Sequence, residues 1–154
     1  MKVTIVDYRP AYEKAFRALN EEWINTYFEM EDSDRKALHH PDEYILQKGG
    51  AILVALGNGE PVGVCALIKT DHPDYDYELA KMAVASEARG KNVGYRLGSA
   101  VVEKAKALGA SRLYLESNSV LKPALGLYRK LGFRDIDSVD TPYKRCNVQM
   151  ELIV

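Results

Sequence analysis

The chain has 154 residues, 47% hydrophobic and 28% charged, with a formal net charge of −1. This predicts one globular domain, 1–154, large enough to bury a core, and the near-zero charge argues against a general nucleic-acid or membrane binder. No apolar run nears the ~20 residues that span a bilayer, and M-K-V-T-I-V-D-Y lacks the basic start and long apolar stretch of a leader, so a cytoplasmic location is expected.

Lys2–Tyr8 alternates as a strand does, and Pro10 suits the first turn of a helix. Tyr12, Phe16, Leu19 and Trp23 recur at helical spacing and predict one amphipathic helix to about Thr26. Glu29–Asp34 is acidic and turn-like. A short helix over Asp34–His39 and one more turn after Pro41 follow, and Gly49-Gly50 ends the region. Ala51–Leu56 and Pro61–Lys69 are apolar strands joined by Gly57-Asn58-Gly59, a hairpin signal. Both cysteines, Cys65 and Cys146, fall in apolar strand-like segments and are expected to be reduced core residues.

Tyr75–Val84 reads as a long strand. Leu97, Val101, Ala105 and Leu108 then mark one face of a helix that Gly109 stops. Between them lies V-A-S-E-A-R-G-K-N-V-G-Y-R-L-G, Val84–Gly98, a glycine-containing turn entering a helix. Amides at a helix start have no partner within the helix, and the dipole is positive there. The turn is therefore either a site for phosphate oxygens, with Arg89 and Lys91 adding charge, or a plain connection. The G-x-x-x-x-G-K-[ST] spacing of a nucleotide loop is absent. Arg112–Glu116 is another strand, Leu121–Leu131 a helix with Pro123 early and Gly132 past its end, and Phe133–Asp137 and Tyr143–Leu152 two closing strands. The order predicts a mixed α/β sheet with helices on both faces.

Two motifs carry a family resemblance. Arg89-Gly90-Lys91-Asn92-Val93-Gly94 resembles the acyl-CoA loop of the GNAT superfamily of N-acetyltransferases, with Asn92 where the family usually has Gly. Asn is the next-best residue for left-handed backbone, so the departure weakens the match without breaking it. Asn118, Ala124, Tyr128, Gly132 and Phe133 fit the family's second signature. The resemblance covers essentially the whole chain. It implies a mostly antiparallel sheet with one splayed parallel strand pair, acetyl-CoA as co-substrate, and direct transfer to a primary amine of a small molecule or peptide in a ternary complex. Similar proteins are often dimers, which makes a homodimer a candidate assembly.

Acetyl transfer to an amine needs a base for the ammonium proton, a donor for the carbonyl oxygen and an acid for the departing thiolate. The family's general acid corresponds to Tyr128; periodicity alone reads it as a core tyrosine. Its ordinary pKa of ~10 lies near a thiol's ~8.5, which suits proton delivery to sulfur. Glu78 is the base candidate on the long strand, competing with a solvated carboxylate or an ion pair to Lys81; Asp76, Glu116, His72 and Tyr143 are reserves. By resemblance a β-bulge frees main-chain groups of Met82, Ala83 and Val84 for the pantetheine arm and the carbonyl oxygen, and Arg89, Gly90, Lys91, Asn92, Val93, Gly94 and Tyr95 wrap the diphosphate. Asn118 is either a contact to the cofactor arm or a strand-end polar residue.

Trp23, Tyr27, Phe28, Tyr143 and Arg145 are acceptor-site candidates: aromatic rings for a slot, Arg145 for a substrate carboxylate, or Glu29, Glu31 and Asp32 for a cationic amine. His39 and His40 are adjacent and point apart on a helix, and no metal-ligand spacing occurs, so no metal is expected. No cysteine sits in a nucleophile motif. Two function classes follow: an acetyltransferase, or a non-catalytic acyl-CoA sensor on the same fold, with the joint presence of Glu78 and Tyr128 favouring the enzyme.

Overall fold

The computed structural model describes residues 1–137, 141 and 143–154. The strands are β1 (Val3–Asp7), β2 (Ala51–Gly57), β3 (Glu60–Lys69), β4 (Tyr77–Val84), β5 (Arg112–Ser117), β6 (Arg134–Asp135) and β7 (Val148–Ile153). The main helices are α1 (Glu13–Tyr27), α2 (Asp32–His39), α3 (Val93–Ala107) and α4 (Lys122–Lys130). All seven strands join one sheet, ordered β1-β2-β3-β4-β5-β7-β6. Every pairing is antiparallel except β4 with β5. Among the described residues no helix is long and apolar enough to cross a membrane.

Strand alternation divides the core in two. Ile52 and Val54 of β2, with Val64 and Ala66 of β3, pack against Phe16 and Ile24 of α1 and Leu38 of α2. Leu53 and Ala55, with Cys65 and Leu67, face Val93, Leu97 and Val101 of α3 and Leu125 of α4. Buried on both sides, β2 and β3 read as nearly continuous apolar runs.

Local chemistry sets the turns. Asn58 (φ 52°) and Gly59 (φ 86°) are both left-handed, as a tight Asn-Gly hairpin turn requires, and bring Gly57 opposite Glu60. Glu31 caps α2: its N–H donates to Asp34 Oδ2 at 3.0 Å, and its carboxylate accepts from the third-residue amide.

The structure revises several boundaries. Pro10–Tyr12 is a separate 3₁₀ turn before α1, α2 begins at Asp32, and Asp42–Leu46 form a π-helical turn. The last strand begins at Val148 rather than Tyr143, because its partner β5 ends at Ser117, which pairs with Val148. Cys146 therefore lies in a half-buried turn, whereas Cys65 is fully buried in β3.

Candidate active site

The parallel strands separate after two paired positions, Tyr77↔Leu113 and Glu78↔Tyr114. On the other edge of β4 the register slips: Ala66 pairs with Ala80 but Val64 with Ala83, so Lys81 and Met82 together oppose Cys65. This is a β-bulge, and Lys81 adopts a left-handed backbone (φ 54°). The bulge reverses the side-chain alternation. Before it, Tyr77 and Leu79 face α3 and α4; after it, Met82 and Val84 do, and Ala83 turns toward α1 and α2. Past the bulge, Ala85 N–H donates to Val62 O at 2.8 Å. Antiparallel alternation then turns Val84 N–H to the opposite edge, into the gap that β5 has left.

Beside the gap lies the start of α3. Gly90 (φ 77°) and Asn92 (φ 64°) are left-handed, and Asn92, at the N-cap, makes no side-chain cap. The amides of Val93, Gly94 and Tyr95 thus open the helix unclaimed by its ladder, with the positive end of the dipole behind them. Arg89 and Lys91 are exposed at the same turn, and Arg89 Nε reaches Val84 O at 3.4 Å. A Cβ on Gly94 would lie 3.2 Å from Leu127 and 4.0 Å from Val84, so glycine lets α3 close on α4 and β4. An amide cradle continuous with the free edge of a strand fits a ligand with an anionic end and a long uncharged arm, as CoA has.

A cavity occupies the gap and is lined from both faces of the sheet. Met82 and Tyr128 border it from the α3/α4 layer; Glu78, Lys81, Tyr143 and Arg145 border it on the α1/α2 side. Glu78 is half-buried, and burial, then the Glu116 charge, push its carboxyl up to about 8 against the opposing pull of Lys81. Burial also raises the Tyr128 hydroxyl, and Cys65 adds to the effect. Tyr128 stays protonated at neutral pH, and Glu78 is mostly protonated there and reaches half ionisation near pH 8.

Trp23 and Phe28 line the same cavity, edge to face with centroids 6.2 Å apart. Tyr27 does not: at the last turn of α1 it is 53% exposed and meets only the outer side of Phe28 among rings. Asn118 borders the cavity, but its amide holds the fold, donating to Arg145 O at 2.6 Å and accepting from Val120 N–H at 3.0 Å. Among the reserves, Glu116 and Tyr143 line the cavity. Asp76 instead accepts the amides of Ser111 and Arg112, and His72 accepts from Asp74 N–H. Glu29 and Asp32 are exposed, Asp32 pairing with Arg35 at 2.7 Å. His39 pairs with Glu21 at 3.5 Å.

Two residues escaped the sequence reading as parts of the site. Asp34, fully buried, accepts Lys81 Nζ at 2.8 Å and both Arg145 terminal nitrogens at 2.6 and 2.7 Å. Lys81 therefore pairs across the core with α2 rather than with Glu78, and it also donates to the Tyr143 hydroxyl at 2.8 Å. Burial opposes the charge on Asp34, but Arg145 and Lys81 outweigh it and hold the carboxyl near 2, lowered to about 2 from 3.8. Asn20, also fully buried, donates from Nδ2 to Lys81 O at 3.1 Å and pins the bulge from α1. Only the fold brings these partners together; Asp34 and Lys81 are 47 positions apart.

The family model described as "Acetyltransferase (GNAT) family" matches residues 13–133. The uncharacterized N-acetyltransferase YjgM of Escherichia coli is 36% identical over 107 residues, covering 68% of this chain and 64% of that protein. An IAA acetyltransferase of Azospirillum brasilense is 39% identical over 83 residues, 54% of each. N-acetylaspartate synthetase of Danio rerio is 33% identical over 97 residues, 63% of this chain and 34% of its own length. The chain thus spans roughly one to two thirds of these relatives. A GNAT acetyltransferase structure from Staphylococcus aureus superposes with TM-score 0.86 at 22% identity, covering 97% of this chain and 98% of that one. A phosphinothricin acetyltransferase from Sinorhizobium meliloti, solved with AcCoA, gives TM-score 0.80 at 22% identity, covering 100% and 89%. With a family match across most of its length and a splayed, bulged strand beside the amide cradle, the chain belongs to the GNAT acetyltransferase family.

Proposed function

We propose that the chain is an acetyl-CoA-dependent N-acetyltransferase that works by direct attack in a ternary complex. The observation that carries this is the placement of Glu78 and Tyr128 against one cavity where β4 and β5 part. The co-substrate supplies an acetyl group activated as a thioester. The cradle amides of Val93, Gly94 and Tyr95 hold the diphosphate, and the exposed edge of Met82–Val84 aligns the arm through the gap. Val84 N–H is the donor for the carbonyl oxygen. Glu78 takes the proton from the incoming ammonium, directly or through water, so that a free amine attacks the acetyl carbon. The C–N bond forms and the C–S bond breaks, the Tyr128 hydroxyl protonates the departing sulfur, and the surplus proton on the new amide nitrogen returns to the Tyr128 oxygen through water.

A thiol-release assay against an amine panel, run beside Tyr128→Phe, tests the assignment. The phenylalanine variant is expected to lose about 10²–10⁴-fold in kcat while still binding CoA. An unchanged rate removes Tyr128 from the mechanism. Tight CoA binding without turnover of any amine transfers the reading to an acyl-CoA sensor.

A further inference from the structure

Resting on the acetyltransferase reading, we propose that the acceptor is a primary amine on an apolar or aromatic body, with no carboxylate beside the amine. The charged residues lining the cavity, among those described, are Glu78, Glu116, Lys81 and Arg145. Both cations are already engaged. Arg145 gives its two terminal nitrogens to the two oxygens of Asp34, at 2.6 and 2.7 Å, and Nη1 also reaches Glu31 at 3.4 Å. Lys81 Nζ gives one hydrogen to Asp34 and one to the Tyr143 hydroxyl, both at 2.8 Å. The Lys81 and Asp34 side chains are 5% and 0% exposed, so the pair cannot swing out to meet a ligand without leaving a buried charge uncompensated.

The anions are in a different position. Among the described residues the hydrogen-bond partners of Glu116 are neutral hydroxyls, Tyr114 at 2.6 Å and Thr141 at 2.7 Å, and none of them offsets its charge. An acceptor carboxylate entering here meets Glu116 and has no cation in surplus. An ammonium is drawn toward Glu116, and toward Glu78 in its ionised form. Aromatic rings supply much of the remaining wall. Trp23, Phe28 and Tyr143 present rings to the cavity, each with the Arg145 guanidinium over it, at 5.9, 5.9 and 4.6 Å. Arg145 thereby braces the slot instead of clamping a substrate carboxylate.

The test is kcat/KM with acetyl-CoA for three acceptors of one skeleton: 2-phenylethylamine, L-phenylalaninamide and L-phenylalanine. The first two are expected to exceed L-phenylalanine at least tenfold. L-phenylalanine equal to or better than its amide overturns the proposal, as does a panel giving no product. The parent reading is judged separately, by an acetyl-CoA-induced rise in melting temperature and turnover of any other amine. Asp34→Asn frees charge on Lys81 and Arg145 and is expected to narrow the amide-to-acid ratio tenfold or more. A folded D34N with an unchanged ratio overturns the argument from engaged cations, and the wild-type comparison decides the matter should that variant not fold.

Discussion

Glu78 carries a constraint that follows from its surroundings. A carboxyl raised from 4.5 to about 8 is half ionised near the pH at which many alkylammonium ions still hold their proton. As the proposed base it would act only when ionised, so kcat/KM is expected to climb with pH and level off above about 8. Glu78→Gln should lie about 10²–10⁴-fold lower and lack that limb. The same shift has a stability consequence of defined sign. The folded state binds this proton more tightly than the unfolded state, so the associated stability is fully present below pH 4.5 and lost as pH rises through about 8. Glu78→Gln should therefore gain melting temperature over wild type at pH 8–9, with the gain shrinking toward pH 5. An equal difference at both ends would show that Glu78 is not raised.

At the scale of elements, the bulge in β4 is held from two helices. Asn20 of α1 donates to Lys81 O, and its Oδ1 accepts Trp23 Nε1 at 3.2 Å; Asp34 of α2 holds the Lys81 side chain. Asn20→Ala leaves a buried carbonyl and an indole N–H without this partner, a cost of about 1–3 kcal/mol. For a chain of this size that is about 2–12 °C in melting temperature. Because the residue touches both the bulge and a ring of the slot, KM for acetyl-CoA and for the amine should rise together. A variant that melts earlier with both constants unchanged would make Asn20 merely structural. Much of this region was legible in the sequence. The loop motif placed the cradle, Asn92 is left-handed as its residue type suggested, and helical spacing found α1 and α3. Long-range polar pairing was not legible, because an aspartate in a short acidic helix carries no mark of the lysine it will meet in the core. That Tyr27 lies outside the cavity was not legible for a simpler reason: helical spacing does not say where the last turn of α1 leaves it.

Over the whole molecule, the sheet is continuous except where β4 and β5 part, and that opening is where the two core layers communicate. A ligand lying along it would contact the second half of β4 and the first turn of α3 but not the distant strands β1 and β2. Binding to the folded state alone at a hundred times Kd adds about 2.7 kcal/mol, a rise of about 5–11 °C. The local pattern is more decisive than the total. The amides of Val84 and of Val93–Tyr95 have no ladder partner and are the donors the ligand would take up, so acetyl-CoA should slow their hydrogen exchange by far more than that of Leu53–Ala55, which is paired on both edges. CoA should reproduce the effect at the start of α3 because it keeps the diphosphate, while the effect near Val84 should weaken for want of the acetyl oxygen. ATP, which carries phosphates but no arm, should leave β4 unprotected. Protection by acetyl-CoA confined to the α1/α2 face, or spread evenly through the sheet, would mean that the gap is not the binding channel.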